Sequence, residues 1–359
     1  MIRYILRKLW YGFLVLLGVV CVVFLLFNVL PGDPARMMLG QRADAASIEA
    51  INKELGRDKT LTEQFLMYAN DLSPISYHDT QNKASLLFFS KDKYASSTQL
   101  AQLDNNKIII LKYPYLRRSY QTKRKVSDVI FEALPETFTL ALAAILFASI
   151  IGVALGILSA IYKDTWIDNT TLVMAVLGMS GPSFFIGIIV AWIFGFILSD
   201  YTGLNMTGSL YSIDPFEGEQ LDLKNIILPA ITLGIRPLAV IIQLTRNSLL
   251  DVLSQDFIRT ATAKGLSFST VIIKHALRNS LTPVITAISG WFASLLAGSV
   301  FIEYVFGWKG IGAEVVGALE KYDFPVVMGT VLVISILFVI INIMVDIIYG
   351  LFDPRVRLQ

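Results

Sequence analysis

Six stretches of this 359-residue chain contain almost no Asp, Glu, Lys or Arg. They are Leu9–Gly32, Thr137–Tyr162, Asn169–Ser199, Asn225–Thr245 (interrupted only by Arg236), Asn279–Ile302 and Phe324–Val345, the last trailing past Asp346 to Phe352. Each matches or exceeds the ~20 residues that a helix needs to cross ~30 Å of hydrocarbon. Buried helices of soluble domains average about 11–12 residues and keep a polar face, which these runs lack. The pattern predicts an all-α membrane protein of six transmembrane helices, one in residues 1–32 and five in a core over 131–359. The first run is too long for the ~7–15-residue core of a signal peptide, and no small-x-small cleavage site follows it. Leu30-Pro31-Gly32-Asp33-Pro34 ends it instead, so it reads as a retained anchor.

Composition agrees: 55% of residues are hydrophobic and 16% charged, against about a quarter charged in soluble domains. No basic face stands out for nucleic acid. The single Cys21 excludes an intramolecular disulfide and a Cys-rich zinc site, and two histidines leave little for metal or acid–base chemistry. No metal, cofactor or catalytic residue is expected.

Charge orients the chain. With the N-terminus inside, the cytoplasmic pieces 1–8, 163–168, 246–278 and the tail from 346 hold eleven Lys and Arg, whereas the outside loops 200–224 and 303–323 hold three. The positive-inside rule then places both termini in the cytoplasm, and the basic residues of the long 33–130 segment do not count, because long loops cross regardless of charge. That segment becomes a small extracytoplasmic region. Ile48–Tyr68 reads as helical with a break near Gly56, Lys107–Lys112 as β-like, and residues 73–112 as polar.

The 246–278 loop is the most informative. Asp256 is positioned to cap a short helix over Phe257–Lys264, Gly265 suits the left-handed position that ends it, and Ser267 is positioned to cap a second helix from Phe268 towards Asn279. Ala261, Ala263 and Gly265 are small enough for another protein to approach this turn. From physics alone two readings stay open: a docking elbow for a cytoplasmic partner, or an amphipathic helix on the membrane surface.

The segment resembles the EAA loop of ABC-importer permeases in the oligopeptide/dipeptide/nickel family. The resemblance is carried by Leu244-Thr245-Arg246, Gln255 to Ala261, Ala263-Lys264-Gly265-Leu266-Ser267 and His275 to Asn279, with Pro283 beyond. The general pattern has an acid where Arg259 stands and Leu-Pro near Leu277-Arg278; the peptide-importer form departs in the same two places. The chain is similar to the B-type subunit elsewhere too: in its MIRYILRKL start and Leu30 to Pro34, in Leu55–Leu66, Arg118-Ser119 and Leu134-Pro135-Glu136-Thr137, in Glu303–Gly312, Asp323–Val327 and Asp353-Pro354-Arg355. Residues 73–112 look like an insertion in that pattern.

The resemblance implies a bacterial inner-membrane permease subunit that pairs with a second permease subunit, two cytoplasmic ATP-binding subunits and an extracytoplasmic solute-binding protein. Its coupling elbow would comprise Asp256, Arg259, Thr260, Ala261, Lys264, Gly265, Leu266 and Ser267. The chain carries no G-x-x-x-x-G-K-[ST] loop, so ATP chemistry falls to the partners.

Arg236 lies about 16 Å into its run at ~1.5 Å per residue, at an insertion cost of at least ~2.5 kcal/mol. It reads as a path residue that attracts a peptide carboxylate, as half of an intersubunit ion pair, or as a snorkelling side chain. Gly181-Pro182 reads as a helix break, and Ser180 and Pro182 join Arg236 as candidate path residues. Gly152/Gly156 and Gly290/Ser294/Gly298 are spaced for close helix packing. A self-sufficient secondary transporter is the rival reading, but it would need coupling-ion residues in the membrane and inverted repeats, and neither is visible. A membrane-anchored receptor working through residues 33–130 would leave the cytoplasmic elbow unexplained.

Overall fold

A computed structural model describes residues 2–29, 35–36, 44–54, 56–82, 85, 87–90, 93–94, 97–104, 106–214, 216 and 218–352. Helix α1 is Ile2–Val29, followed by α2 Ala45–Glu54 and α3 Leu61–Leu72, then strands β1 Ile75–Asp79, β2 Ser97–Asp104 and β3 Lys107–Lys112. Next come α4 Val126–Ile161, α5 Trp166–Ser180, and α6 Ser183–Trp192 with a π turn over Ile193–Ile197. A hairpin of β4 Tyr211–Asp214 and β5 Gly218–Leu221 precedes α7 Ile227–Leu253 and α8 Asp256–Ala263. A π turn over Val271–Leu277 then leads into α9 Arg278–Gly298, with α10 Val300–Phe306, α11 Ile311–Glu320 and α12 Phe324–Phe352 closing the chain.

Among the described residues five helices are long and apolar enough to cross a membrane, or six if one bent pair counts as a span. That pair fills the apolar run Asn169–Ser199, and its break falls at Gly181-Pro182, where the sequence predicts one. The run is α5 and α6, bent by 108° at Gly181-Pro182, because proline brings no N–H and disfavours helical backbone in the residue before it. The Leu30–Pro34 stop and Asp353-Pro354-Arg355 lie outside the described residues.

The chain divides into two compact units. The smaller comprises Leu9–Glu132 and Glu314–Ile336. In it the lower-polarity face of α3 packs on the two long helices: Tyr68 shares a core with Val23, Phe24, Met328 and Leu332. Thr60 and Glu63 form a capping box that starts α3, with Glu63 accepting the Thr60 amide at 2.9 Å. The strands form an antiparallel sheet in the order β1-β3-β2, registered by Ile75 opposite Leu111 and Thr98 also opposite Leu111. Two of these strands escaped the sequence reading, since the polar STQLAQLD of β2 shows no clean alternation.

Every second residue of β3 points inward, Ile108, Ile110 and then Lys112. The Lys112 ammonium donates to the Asp71 carbonyl at 2.5 Å and lies 5.0 Å from the Tyr94 ring centre. Tyr94 in turn donates to the Asp71 carboxylate at 2.6 Å. Burial pulls the Lys112 pKa down to about 8. His78 is fully buried beside them, with Ser76 Oγ 2.9 Å from Nε2 and the Leu87 carbonyl 3.2 Å from Nδ1, and burial lowers its pKa. Asp323, also buried, accepts from the Ser119 hydroxyl and from the Tyr120 amide at 2.9 Å.

The larger unit comprises Met1–Lys8, Ala133–Ala313 and Leu337–Gln359. Its core gathers Leu140, Ala144, Leu228, Leu233, Ile302, Phe306 and Trp308. Helices α4 and α7 meet at backbone distance. A Cβ on Gly156 would sit 2.6 Å from Thr245 Cβ, and one on Gly152 would sit 2.8 Å from Ile241 Cγ2. Gly290 and Gly298 differ, because a Cβ there would meet nothing within 4 Å.

Candidate functional site

Three groups of residues in the larger unit combine polarity with unusual placement. The first is the elbow after α7. Its short helix α8 starts at Asp256, with Gln255 in extended backbone at the N-cap position and no side-chain cap. This corrects the expected cap. Asp256 is already helical, so its carboxylate faces solvent and lies 3.4 Å from Arg259, one turn on.

The far end of α8 closes as expected, by a two-bond reversal. The Gly265 amide donates to the Thr262 carbonyl at 2.9 Å and the Leu266 amide to that of Ala261 at 3.4 Å, with Gly265 at φ +78°. This is the Schellman pattern, and its positive φ suits a residue without Cβ. Ser267 has the expected N-cap backbone, but its hydroxyl pairs with Thr270 Oγ1 at 2.8 Å instead of a backbone amide.

The elbow has two faces. Ile258 and Ala261 turn inward and pack with Ala160, Leu249, Val271 and Ala276. Ala261 is therefore buried, which removes it from the surface that a partner could touch. Asp256, Arg259, Thr260, Lys264, Gly265, Leu266 and Ser267 are exposed, and with them Phe257 and Phe268, the latter 64% exposed. Phe257, Leu266 and Phe268 thus present apolar side chains among the exposed polar residues of the elbow, a combination found at protein and membrane interaction surfaces.

A pair that sequence reasoning missed holds the base of the elbow. Arg246 on α7 grips Asp168 on α5 with both arms: Nε to Oδ1 and Nη2 to Oδ2 are each 2.7 Å. Asp168 is 1% exposed and also accepts from the Ser159 hydroxyl and the Asp164 amide. Such bidentate, charge-assisted geometry fixes two helices in angle as well as distance. The available signal was positional, since an acid and an arginine flank the ends of two apolar runs on the same side.

The second group surrounds the 108° break. Gly181 is extended at the end of α5, and Pro182 begins α6 at φ −60°. The Gly181 carbonyl is one that no helical amide reaches, and Arg236 Nη2 donates to it at 3.2 Å. Ser180 bonds back to the Val176 carbonyl at 2.7 Å. Thus Arg236, 55 residues from Gly181, is brought to the break that Ser180 and Pro182 flank, and its side chain is exposed there.

The third group lies at the opposite end of α4. Glu303 is fully buried and accepts the Ser299 hydroxyl at 2.8 Å, the Gly312 amide at 2.6 Å and the Ala313 amide at 3.2 Å. Burial raises its pKa, against those hydrogen bonds. Trp308 Nε1 donates to the Glu136 carbonyl at 3.0 Å, and the Ile311 amide to Thr137 Oγ1 at 2.8 Å. A Cβ on Gly310 would lie 2.4 Å from Glu303 Oε2, so the turn closes only on glycine.

Comparison with known proteins adds identity to this geometry. Residues 152–358 match the binding-protein-dependent transport system inner membrane component family, and residues 1–85 match the N-terminal region of such membrane components. The chain is 35% identical over 357 residues to the glutathione transport system permease protein GsiC of Pectobacterium atrosepticum, covering 99% of each. It is 32% identical to the dipeptide transport system permease protein DppB of Alkalihalophilus pseudofirmus, covering 99% of this chain and 100% of that one. Among solved structures, the inward-facing MetNI methionine ABC transporter aligns with 63% of this chain and 97% of its own at 19% identity and a TM-score of 0.48.

Proposed function

The chain belongs to the binding-protein-dependent transport inner membrane component family, and from that premise we propose that it is the permease subunit of an ATP-driven importer for peptides or similar small solutes. It is a multi-pass membrane transport component and not an enzyme. It would work with a second permease subunit, two cytoplasmic ATP-binding subunits and an extracytoplasmic solute-binding protein. Peptide as the substrate class follows the names of its relatives, dipeptide and glutathione permeases.

The chain would cross six times, the bent α5–α6 pair counting once, with both termini cytoplasmic and residues 33–130 outside. The elbow would be its coupling element. Asp256, Arg259, Thr260, Lys264, Gly265, Leu266 and Ser267 would meet the ATPase together with Phe257 and Phe268, while Ala261 would hold α8 to the bundle from within. Arg236, Ser180 and Pro182 are assigned to the translocation path.

The observation that carries this reading is the apolar, exposed face of an elbow whose base is clamped by Asp168 and Arg246. A clamped base transmits a push on the elbow to α5 and α7 instead of dissipating it. The test is a mild-detergent pull-down of the tagged chain, with companions identified by mass spectrometry. Wild type should bring an ATPase and a second permease. Leu266→Glu, at an exposed position, should lose the ATPase at least tenfold and keep the permease. Recovery of the chain alone, still transporting in ATP-free vesicles, would overturn the proposal in favour of a secondary transporter.

A further inference from the structure

We propose that Arg236 receives the free carboxylate of the transported peptide by exchanging it for the Gly181 carbonyl, and that this exchange releases the α5–α6 break. The inference rests on the importer reading above and deepens it, naming the part of the substrate that the permease itself recognises.

Arg236 is the only charged residue in the apolar run Asn225–Thr245. None of the ion pairs among the described residues includes it. Its observed partner is one neutral carbonyl, reached by one of five guanidinium N–H groups at 3.2 Å. Arg246, on the same helix, shows what the group does when a carboxylate is within reach: two parallel bonds of 2.7 Å. The carbonyl accepts one bond from a charged donor, whereas a carboxylate adds its own charge and a second, parallel bond. A carboxylate arriving at Arg236 therefore displaces the carbonyl.

The displaced carbonyl has a second partner available along its own chain. In a continuous helix it would accept the amide of Phe185, four residues on. That amide now bonds to the Pro182 carbonyl at 3.1 Å, within the first turn of α6. Moving it to Gly181 draws the two helices towards a common axis, and Pro182 leaves a kink in place of the 108° bend. Substrate binding and helix geometry are thereby coupled through one side chain. The coupling has the sign that a gate needs, because the carboxylate binds the opened form better and shifts the population towards it.

The experiment uses the assembled importer with its binding protein in proteoliposomes, and two probes: alanine tripeptide and its C-terminal amide. Each is supplied at a concentration that saturates the binding protein to the same occupancy. Wild type should take up the free acid at least tenfold faster than the amide. Arg236→Gln should abolish the discrimination, so that acid and amide are taken up at rates within twofold of each other, and Arg236→Lys, which keeps charge without the fork, should retain part of it. Equal slowing of both probes by Arg236→Gln, or no loss of discrimination, would overturn the inference and leave the importer reading standing. Absence of ATP-dependent uptake of either probe by wild type would overturn both.

A readout with Arg236 intact covers the case in which the variants fail to assemble. In a Cys21→Ser background, spin labels at Met174→Cys and Ile189→Cys flank the break on exposed positions. The free acid should add a population at longer distance that the amide does not. Identical distance distributions with the two probes would overturn the exchange.

Discussion

The Asp168–Arg246 pair shows how much a single contact can decide. Both ions are largely withdrawn from water, and each satisfies the other's geometry. Removing one partner leaves an uncompensated buried charge, at a cost of about 3–5 kcal/mol. Arg246→Ala should therefore lower the thermal stability of the purified protein by that amount. Arg246→Lys, with a point charge where a fork is needed, should recover only part of it. Differential scanning of the two variants separates charge from geometry, and equal losses would show that the fork contributes nothing. At this scale the sequence was uneven. Gly265 was legible, because a small residue at the end of a short amphipathic turn has few other uses. Asp168, Glu303 and Asp323 were not. Asp168 and Asp323 find their partners through folding, Arg246 lying 78 residues from the one and Ser119 204 from the other, and the turn that holds Glu303 is tied to α4 by Thr137, 174 residues from Ile311. No local pattern announces such meetings. Ala261 was read as surface because smallness alone does not say which way a residue points.

Elements were more legible, since an apolar run of spanning length admits few alternatives. Five of the six runs have one long helix as counterpart and Asn169–Ser199 has the bent pair, while the helical stretch broken near Gly56 and the strand over Lys107–Lys112 are present too. The angle at Gly181-Pro182 was not legible; the dipeptide fixes where a helix stops, whereas 108° is set by what packs on either side. The glycines of α4 make a quantitative prediction at this scale. Gly156→Val would place a branched side chain where even a Cβ comes within 2.8 Å of the Ile242 carbonyl. Helix α4 must then move away from α7, at about 1–3 kcal/mol or more, while the same change at Gly290, where a Cβ meets nothing, should leave the stability of the isolated chain within about 0.5 kcal/mol. Thermal unfolding of the two variants makes the comparison, and similar losses would mean that α4 and α7 are not packed this closely.

For the molecule as a whole, charge placement and burial give two expectations. Alkaline phosphatase fused after Lys309 should be active and after Phe352 inactive; the reverse would turn the proposed topology over. Stability should also respond to acid through the smaller unit. His78 has its pKa lowered by burial, so the unfolded chain binds a proton first. Stability is then lost as pH falls from the ordinary histidine value near ~6.5 through the folded one, with a slope of at most ~1.4 kcal/mol per pH unit. His78→Asn should flatten the fall in melting temperature between pH 6.5 and 5, and an unchanged slope would assign the acid response to another group.

The bent pair also bears on how the chain is made. Helix α5 has 15 residues, and α6 has 10 before its 5-residue π turn. Neither reaches the ~20 residues that the insertion machinery accepts as a span. A ribosome that stalls after Ser180 would leave a segment too short to enter the bilayer, and one that stalls after Ile197 would leave the Gly181 carbonyl without the arginine that meets it. Integration of this bent pair should thus be completed only when α7 emerges. Truncations before Arg236 should therefore be extracted by alkaline carbonate more readily than those that end after Leu253.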